Sequence, residues 1–475
     1  MQTLTLPSPF STMAHVDKCT ESKYFLDALN LFFEVQWLYN IPVTDLLTKG
    51  LLDSIPKEWT DALASLQMQE LNHFVVKRKT NPQWPDGLKA FVEKCRYIDR
   101  LPTLNATLFT KLPKKFQIGL NDKKQHEIIH MAHLVHMQCA PLKIKIIVDF
   151  GAGLGYVCQL LYHLYGYQVL GLERSQENVN NAKNRQAKMY PDSLEHVKYR
   201  CCDLTYNSVE VIETILRNEF KENSDVCLIG LHACGDLSIN ASKIFFNMKA
   251  ARLFIMISCC YHKLSMSKDT DENESTRKQY FNNFPLSTCF KSVIHDNNFD
   301  VGCFLRQPFL RLACQESAER WNNMSTENHD KHSFYVLARA VLQLYATQND
   351  YTLKKCARKG TRKSQCLNFE TYIKDSLNRY IFQSQKETNI KEQGVQFSTE
   401  MHITRMMELW NIYCDKLKIV EIYTALQSVL QASAESLLLQ DRLCWIQEHG
   451  LEATIIPVTN KQLSPRSYAI VSSKK

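Results

Sequence analysis

At 475 residues the chain has the length for about two or three domains, and its 45% hydrophobic and 22% charged residues are ordinary globular usage that excludes wholesale disorder. A net charge of +8 over this length is a mild bias toward polyanions and selects no substrate by itself. The 17 cysteines are irregularly spaced and include the neighbours Cys201-Cys202 and Cys259-Cys260, which geometry rarely bridges, so they read as reduced thiols. The N-terminus shows no basic stretch followed by an apolar run, and no apolar stretch is long enough for a comfortable span. The expectation is an intracellular protein, cytoplasmic or nuclear, with no membrane partner.

Residues 1–140 read as an N-terminal helical domain, with Phe25, Leu26, Leu29, Phe32, Phe33 and Val35 at helical spacing and Trp59 in a helix that starts after IPKEW. From Ile144 the pattern changes to strands alternating with amphipathic helices, the sequence form of a parallel sheet with crossover connections. Strands are predicted at 144–150, 167–173, 196–203, 225–231 and 251–258, and they define the first part of an α/β domain, 141–263. A mostly helical insertion with loops is predicted over 264–415. Its densest basic run, Lys354, Lys355, Arg358, Lys359, Arg362 and Lys363, reads as a solvated loop, as does the polar segment from Gln383 to Gln396. Residues 416–475 are predicted to return to the α/β domain. Helical patterning there stops at Gly450, and 452–458 and 467–473 follow as two strands of a terminal hairpin.

The loop Asp149-Phe150-Gly151-Ala152-Gly153-Leu154-Gly155 lies directly between the first strand and the first helix of this series. In open α/β folds ligands bind at the carboxyl ends of the strands, and glycines there let the backbone approach them closely. Glu173 ends the second strand, placed to accept ribose hydroxyls, and Asp203 ends the third, near where an adenine amine would lie. A dinucleotide fingerprint wants Gly or Ala where Tyr156 stands, and Asp149 suits the ammonium end of a methionine moiety better than a pyrophosphate. The cofactor expected on Asp149, Gly151, Gly153, Gly155, Glu173 and Asp203 is therefore S-adenosylmethionine.

The loop, the two acids and the terminal strand pair together resemble the class I methyltransferases. That resemblance implies a doubly wound seven-stranded sheet with the last strand antiparallel, and a methyltransferase activity. The segments NDKKQHEI (121–128), GLHACGDLS (230–238), SCCYHKLS (258–265) and FPLS (284–287), with the turn Ser464-Pro465-Arg466, resemble the methyltransferase-like protein 25 family. The HACGD and CCYH segments are also similar, more distantly, to a tRNA ribose 2′-O-methyltransferase family, which favours RNA over protein as acceptor. A scaffold that binds the cofactor without turnover is the alternative.

In the family's sheet order the fourth and fifth strands are neighbours, so His232 to Asp236 and Cys259 to His262 are expected to face one another across the methyl donor, forming the acceptor side of the pocket. Oxygen or guanidino acceptors need a proton removed, and His232, Asp236 and His262 are the candidate catalytic bases, with His232 also bordering the cofactor. Zinc on His232, Cys234, Cys259, Cys260 or His262 is chemically reasonable, but the spacing matches no standard ribbon or finger, and no metal is expected. A cysteine nucleophile and simple packing of small thiols are the other readings of these cysteines.

Overall fold

The computed structural model describes residues 18–104, 112–220, 224–270, 278–356, 366, 368–384 and 399–474. Five strands lead the α/β series: β1 (Ile146–Phe150), β2 (Gln168–Glu173), β3 (Val197–Cys201), β4 (Val226–Ala233) and β5 (Ala251–Ser258). A separate hairpin follows, β6 (Tyr351–Lys355) with β7 (Tyr380–Ser384), and the chain closes with β8 (Glu452–Pro457) and β9 (Tyr468–Ser473). The large sheet has the order β3-β2-β1-β4-β5-β9-β8. Strands β1 to β5 pair in parallel, whereas β9 runs antiparallel to both β5 and β8. Every residue of β1 is buried, as is all of β5 apart from Arg252, which fits strands covered on both faces.

This is the seven-stranded sheet expected from the sequence, and the strand bounds fall within two residues of the predicted ones. The order reverses at β1, since β2 lies on one side and β4 on the other. Such a switch point opens a crevice at the carboxyl ends of β1 and β4.

The chain divides into two compact units, each assembled from separate stretches of sequence. The first comprises the described residues of Met1–Glu34, Cys95–Arg320 and Gln431–Lys475, and the second those of Val35–Lys94 and Trp321–Leu430. The long helix Leu417–Glu448 supplies residues to both. In the first unit the helix Asp122–Cys139 buries Ile128, Met131, Ala132 and Val135 in one core with Ile147, Leu160, Val169 and Ile255. Its apolar face covers the sheet, which is why it leaves the helical segment 1–140. The helix Lys18–Glu34 likewise stays in this unit, where Phe25 stacks on Phe290 at 4.6 Å, although Phe33 of the same predicted stripe is exposed.

In the second unit His329 is buried between Glu421 at 2.6 Å and Asn72 at 2.9 Å, a polar core whose partners are satisfied. The β6–β7 hairpin also belongs here and corrects the loop expectation at its edges. Lys354 and Lys355 are strand residues opposite Ile381 and Tyr380, and Gln383 pairs with Thr352. Leu353 faces Phe382 in this ladder, a cross-strand apolar pair that stabilises a two-stranded sheet. Arg358, Lys359, Arg362, Lys363 and the rest of the polar segment after Ser384 lie outside the described residues. Among the described residues no helix is long and apolar enough to cross a membrane.

Candidate active site

The glycine-rich turn joins β1 to the helix Tyr156–Tyr165, and its three glycines all have positive φ but meet different surroundings. A Cβ at Gly155 would stand 2.1 Å from the buried Tyr199 hydroxyl, which donates to the Gly155 carbonyl and accepts from Gln159. Gly155 is thus required for packing. A Cβ at Gly153 would meet nothing within 4 Å, so this glycine borders open space that a ligand can enter. Gly155→Ala should therefore destabilise the fold by about 2–4 kcal/mol, from overpacking plus the left-handed backbone. A urea midpoint for the variant unchanged from the parent would contradict that assignment.

Glu173 at the end of β2 accepts from the Gly153 amide at 3.0 Å and, through its other oxygen, from the Ser175 amide at 3.0 Å and Asn178 at 3.4 Å. It braces the turn, and the roughly four acceptor positions of a carboxylate leave one for a ligand hydroxyl. Asp149 is buried beneath the turn and accepts from the Cys158 thiol at 3.2 Å. Burial pushes its carboxyl up to about 6 against that hydrogen bond, and the charge of Glu173 adds to the rise. Asp203 is exposed beyond β3, 3.5 Å from Arg174. A cofactor with a ribose and an ammonium group fits this donor set: open backbone at Gly153, an acceptor at Glu173 and a carboxylate at Asp149.

The segment after β4 reaches the same turn, since a Cβ at Gly151 would touch Leu237 at 3.3 Å. His232, the penultimate residue of β4, is half-buried, with a φ of 67° that is costly for a residue other than glycine. Its Nε2 donates to Glu127 at 3.0 Å. Glu127 comes from the helix Asp122–Cys139, is 2% exposed, and accepts on its other oxygen from the Ser464 hydroxyl at 2.5 Å. Burial alone would raise the Glu127 pKa, but the hydrogen bonds of His232 and Ser464 outweigh it and hold the carboxyl below its ordinary value. The result is a carboxylate–imidazole pair in which Nε2 is engaged and Nδ1 has no hydrogen-bond partner among the described residues.

Sequence reasoning singled out NDKKQHEI and the SPR turn without giving Glu127 or Ser464 a role. Their common purpose shows only when the helix, the end of β4 and the β8–β9 connection meet.

The two other candidate bases are differently engaged. Asp236 accepts from the Ser265 amide at 3.0 Å on one oxygen and from Asn283 at 2.8 Å on the other, so it ties down the chain after β5. His262 lies 3.2 Å from the Cys314 sulfur through Nδ1, and burial, then the charges of Arg311, Lys263 and Arg466, lower its pKa. The two strand-end segments are in direct contact. Cys234 and Cys259 sulfurs are 3.0 Å apart, and the Gly235 amide donates to the Cys260 carbonyl at 3.3 Å. The Cys259 thiol hydrogen bond lowers the Cys234 pKa against burial, with help from the Cys260 hydrogen bond and the charge of Lys263. Cys259 is driven upward in exchange.

Behind them the buried Arg442 donates to Ser258 at 2.6 Å and Ser238 at 3.2 Å. The FPLS segment is held by buried Asp441, which accepts from the Leu286 and Ser287 amides and the Ser287 hydroxyl at 2.7–2.8 Å.

Comparison with known proteins covers the part of this site that runs from Glu127 to Ser265. Residues 123–267 match the family model described as a methyltransferase domain. The human protein named "Probable methyltransferase-like protein 25" is 29% identical over 266 residues, which is 55% of this chain and 39% of that protein. Its mouse counterpart is 27% identical over 263 residues, with the same shares of each chain. The match thus takes in well under half the length of these relatives.

Among solved structures, an S-adenosylmethionine-dependent methyltransferase from Clostridium acetobutylicum ATCC 824 is 16% identical, covering 31% of this chain and 58% of its own at a TM-score of 0.20. Magnesium protoporphyrin IX methyltransferase from Synechocystis PCC 6803 is 14% identical over 39% of this chain and 79% of its own, at 0.21. The strand order and the antiparallel β9, rather than these overlaps, carry the fold assignment. Residues 123–267 match a methyltransferase domain, the sheet has the class I methyltransferase strand order, and the chain is similar to methyltransferase-like protein 25.

Proposed function

We propose that this chain binds S-adenosylmethionine at the β1 turn and transfers its methyl group to an acceptor held at the carboxyl ends of β4 and β5. The observation that carries the proposal is the open backbone at Gly153, hydrogen-bonded to Glu173 and flanked by Asp149, at the switch point of the sheet. Glu173 would accept from the cofactor ribose, Asp149 would hold its ammonium group, and Asp203 would serve the adenine. Bound S-adenosylmethionine supplies an electrophilic methyl group, so the protein's own task is to orient the acceptor and take its proton.

His232 suits that task best. Its Nε2–H is committed to Glu127, which fixes the ring and leaves Nδ1 as the acceptor. Asp236 and His262 border the acceptor side and shape it, Asp236 through Ser265 and Asn283. RNA is the acceptor class we favour, on the similarity of the HACGD and CCYH segments to ribose methyltransferases.

Incubating the purified chain with methyl-labelled S-adenosylmethionine and fractionated cell extract should place label in RNA. Label in protein would support a protein methyltransferase instead, and none in either fraction would support a binding scaffold. With the acceptor in hand, His232→Ala should lower kcat by about 10²–10⁴-fold while cofactor affinity changes little. Glu127→Gln removes the charge but keeps the shape, and should lower kcat by less. Equal loss of cofactor binding and turnover in His232→Ala would remove the histidine from the proton-transfer role.

A further inference from the structure

Three thiols from two strand ends converge next to the turn that carries His232. Cys234 follows β4, Cys259 and Cys260 follow β5, and the parallel ladder ends on the pair Ala233 and Ser258, so the register delivers the thiols side by side. The Cys234 and Cys259 sulfurs are 3.0 Å apart, those of Cys259 and Cys260 3.5 Å, and all three lie within 4.8 Å of one another. The surrounding backbone is closely packed, because a Cβ at Gly235 would stand 2.5 Å from the Lys263 carbonyl. Tetrahedral coordination with metal–sulfur bonds of about 2.3 Å separates thiolates by roughly 3.8 Å, within small adjustments of this arrangement.

Cys259 is buried while Cys234 and Cys260 are half-buried, so the cluster has a protein wall on one side and a route to solvent on the other. Three thiolates on a divalent cation leave one net negative charge, and the ammonium of Lys263 acts on Cys234 to offset it. No other His, Cys, Asp or Glu among the described residues joins the group. Three protein ligands and one exchangeable position is the pattern of zinc sites that keep a place for water or a ligand.

We propose that Cys234, Cys259 and Cys260 form a three-thiolate site for Zn²⁺ with its fourth position open. Sequence spacing hides such a site, because its ligands belong to no single ribbon or finger and meet only through the β4–β5 pairing.

The test uses the full chain, purified reduced and without chelator. Elemental analysis should find stoichiometric zinc that survives dialysis, and Co²⁺ exchange should give sulfur-to-cobalt charge-transfer absorption with tetrahedral d–d bands. Cys234→Ser should lose both signals while its circular dichroism and melting stay near those of the parent. Cys356→Ser, an exposed cysteine outside the cluster, should keep both. If Cys259→Ser fails to fold because that side chain is buried, the wild-type cobalt spectrum and the Cys234→Ser comparison still decide the matter. Absence of stoichiometric Zn²⁺ and Co²⁺ binding in the reduced, folded chain would overturn the proposal. So would full retention of both in Cys234→Ser, or a Cys234–Cys259 disulfide in protein purified under reducing conditions.

Discussion

A chain truncated after Gly450 is expected to lose its cooperative fold and aggregate. The deletion removes β8 and β9, and β9 is an interior strand between β5 and β8. Ala453, Ile455, Tyr468, Ile470 and Val471 are all buried, and full burial of each large apolar side chain stabilises by about 1.5–3 kcal/mol. Four such side chains already approach the roughly 5–15 kcal/mol of a whole domain's stability. The deletion would also bare the β5 edge from Leu253 to Met256, a row of unpaired backbone groups that invites association. Glu127 would lose the Ser464 hydroxyl as well. Size-exclusion chromatography and thermal denaturation read the result. A monodisperse truncated chain with a cooperative melt would contradict the assignment of β9 to the sheet.

Gly153→Arg should abolish cofactor binding without abolishing the fold. A Cβ at this position meets no neighbour, so the added side chain must project into the space reserved for the ligand. The left-handed backbone, with φ of 55°, costs about 1–2 kcal/mol, which a domain of ordinary stability tolerates. The guanidinium also introduces positive charge beside a bound sulfonium and ammonium, and its pull on Glu173 competes for the carboxylate that would hold the ribose. A loss of affinity of at least about 100-fold, equivalent to roughly 2.7 kcal/mol, is expected. Calorimetry alongside a thermal melt separates the two effects, and a folded variant with unaltered affinity would move the cofactor away from this turn.

The sheet was legible in the sequence because its strands are short, apolar and bounded by glycine or acidic ends, with amphipathic helices between them. The run IIVDF followed by GAGLG is unambiguous, since only a buried strand and a tight turn suit those residues. The association of helices was less legible. Helix Asp122–Cys139 has a helical pattern wherever it packs, and only the tertiary fold shows that Ile128 and Val135 cover the sheet while Glu127 reaches His232.

The candidate site was legible in part for the same reason. Local order at the ends of β1, β2 and β4 announced Gly153, Glu173 and His232. The partners of Asp236 and His262 come from residues 265, 283 and 314, and no spacing rule connects them. Asp236 resembles a base in sequence because it follows a strand, yet in the fold both its oxygens are occupied by protein donors. The basic residues near 355 were read as one loop, and the apolar alternation that draws Lys354 and Lys355 into β6 depends on a partner strand about 25 residues away.

The most direct test of the central claim is an equilibrium titration of the purified, folded chain with S-adenosylmethionine, with NAD as the contrast and S-adenosylhomocysteine as the product analogue. The account predicts saturable binding of S-adenosylmethionine and S-adenosylhomocysteine at a single class of site, weakened in Glu173→Ala, and no comparable binding of NAD. Tight NAD binding with none for S-adenosylmethionine would contradict it.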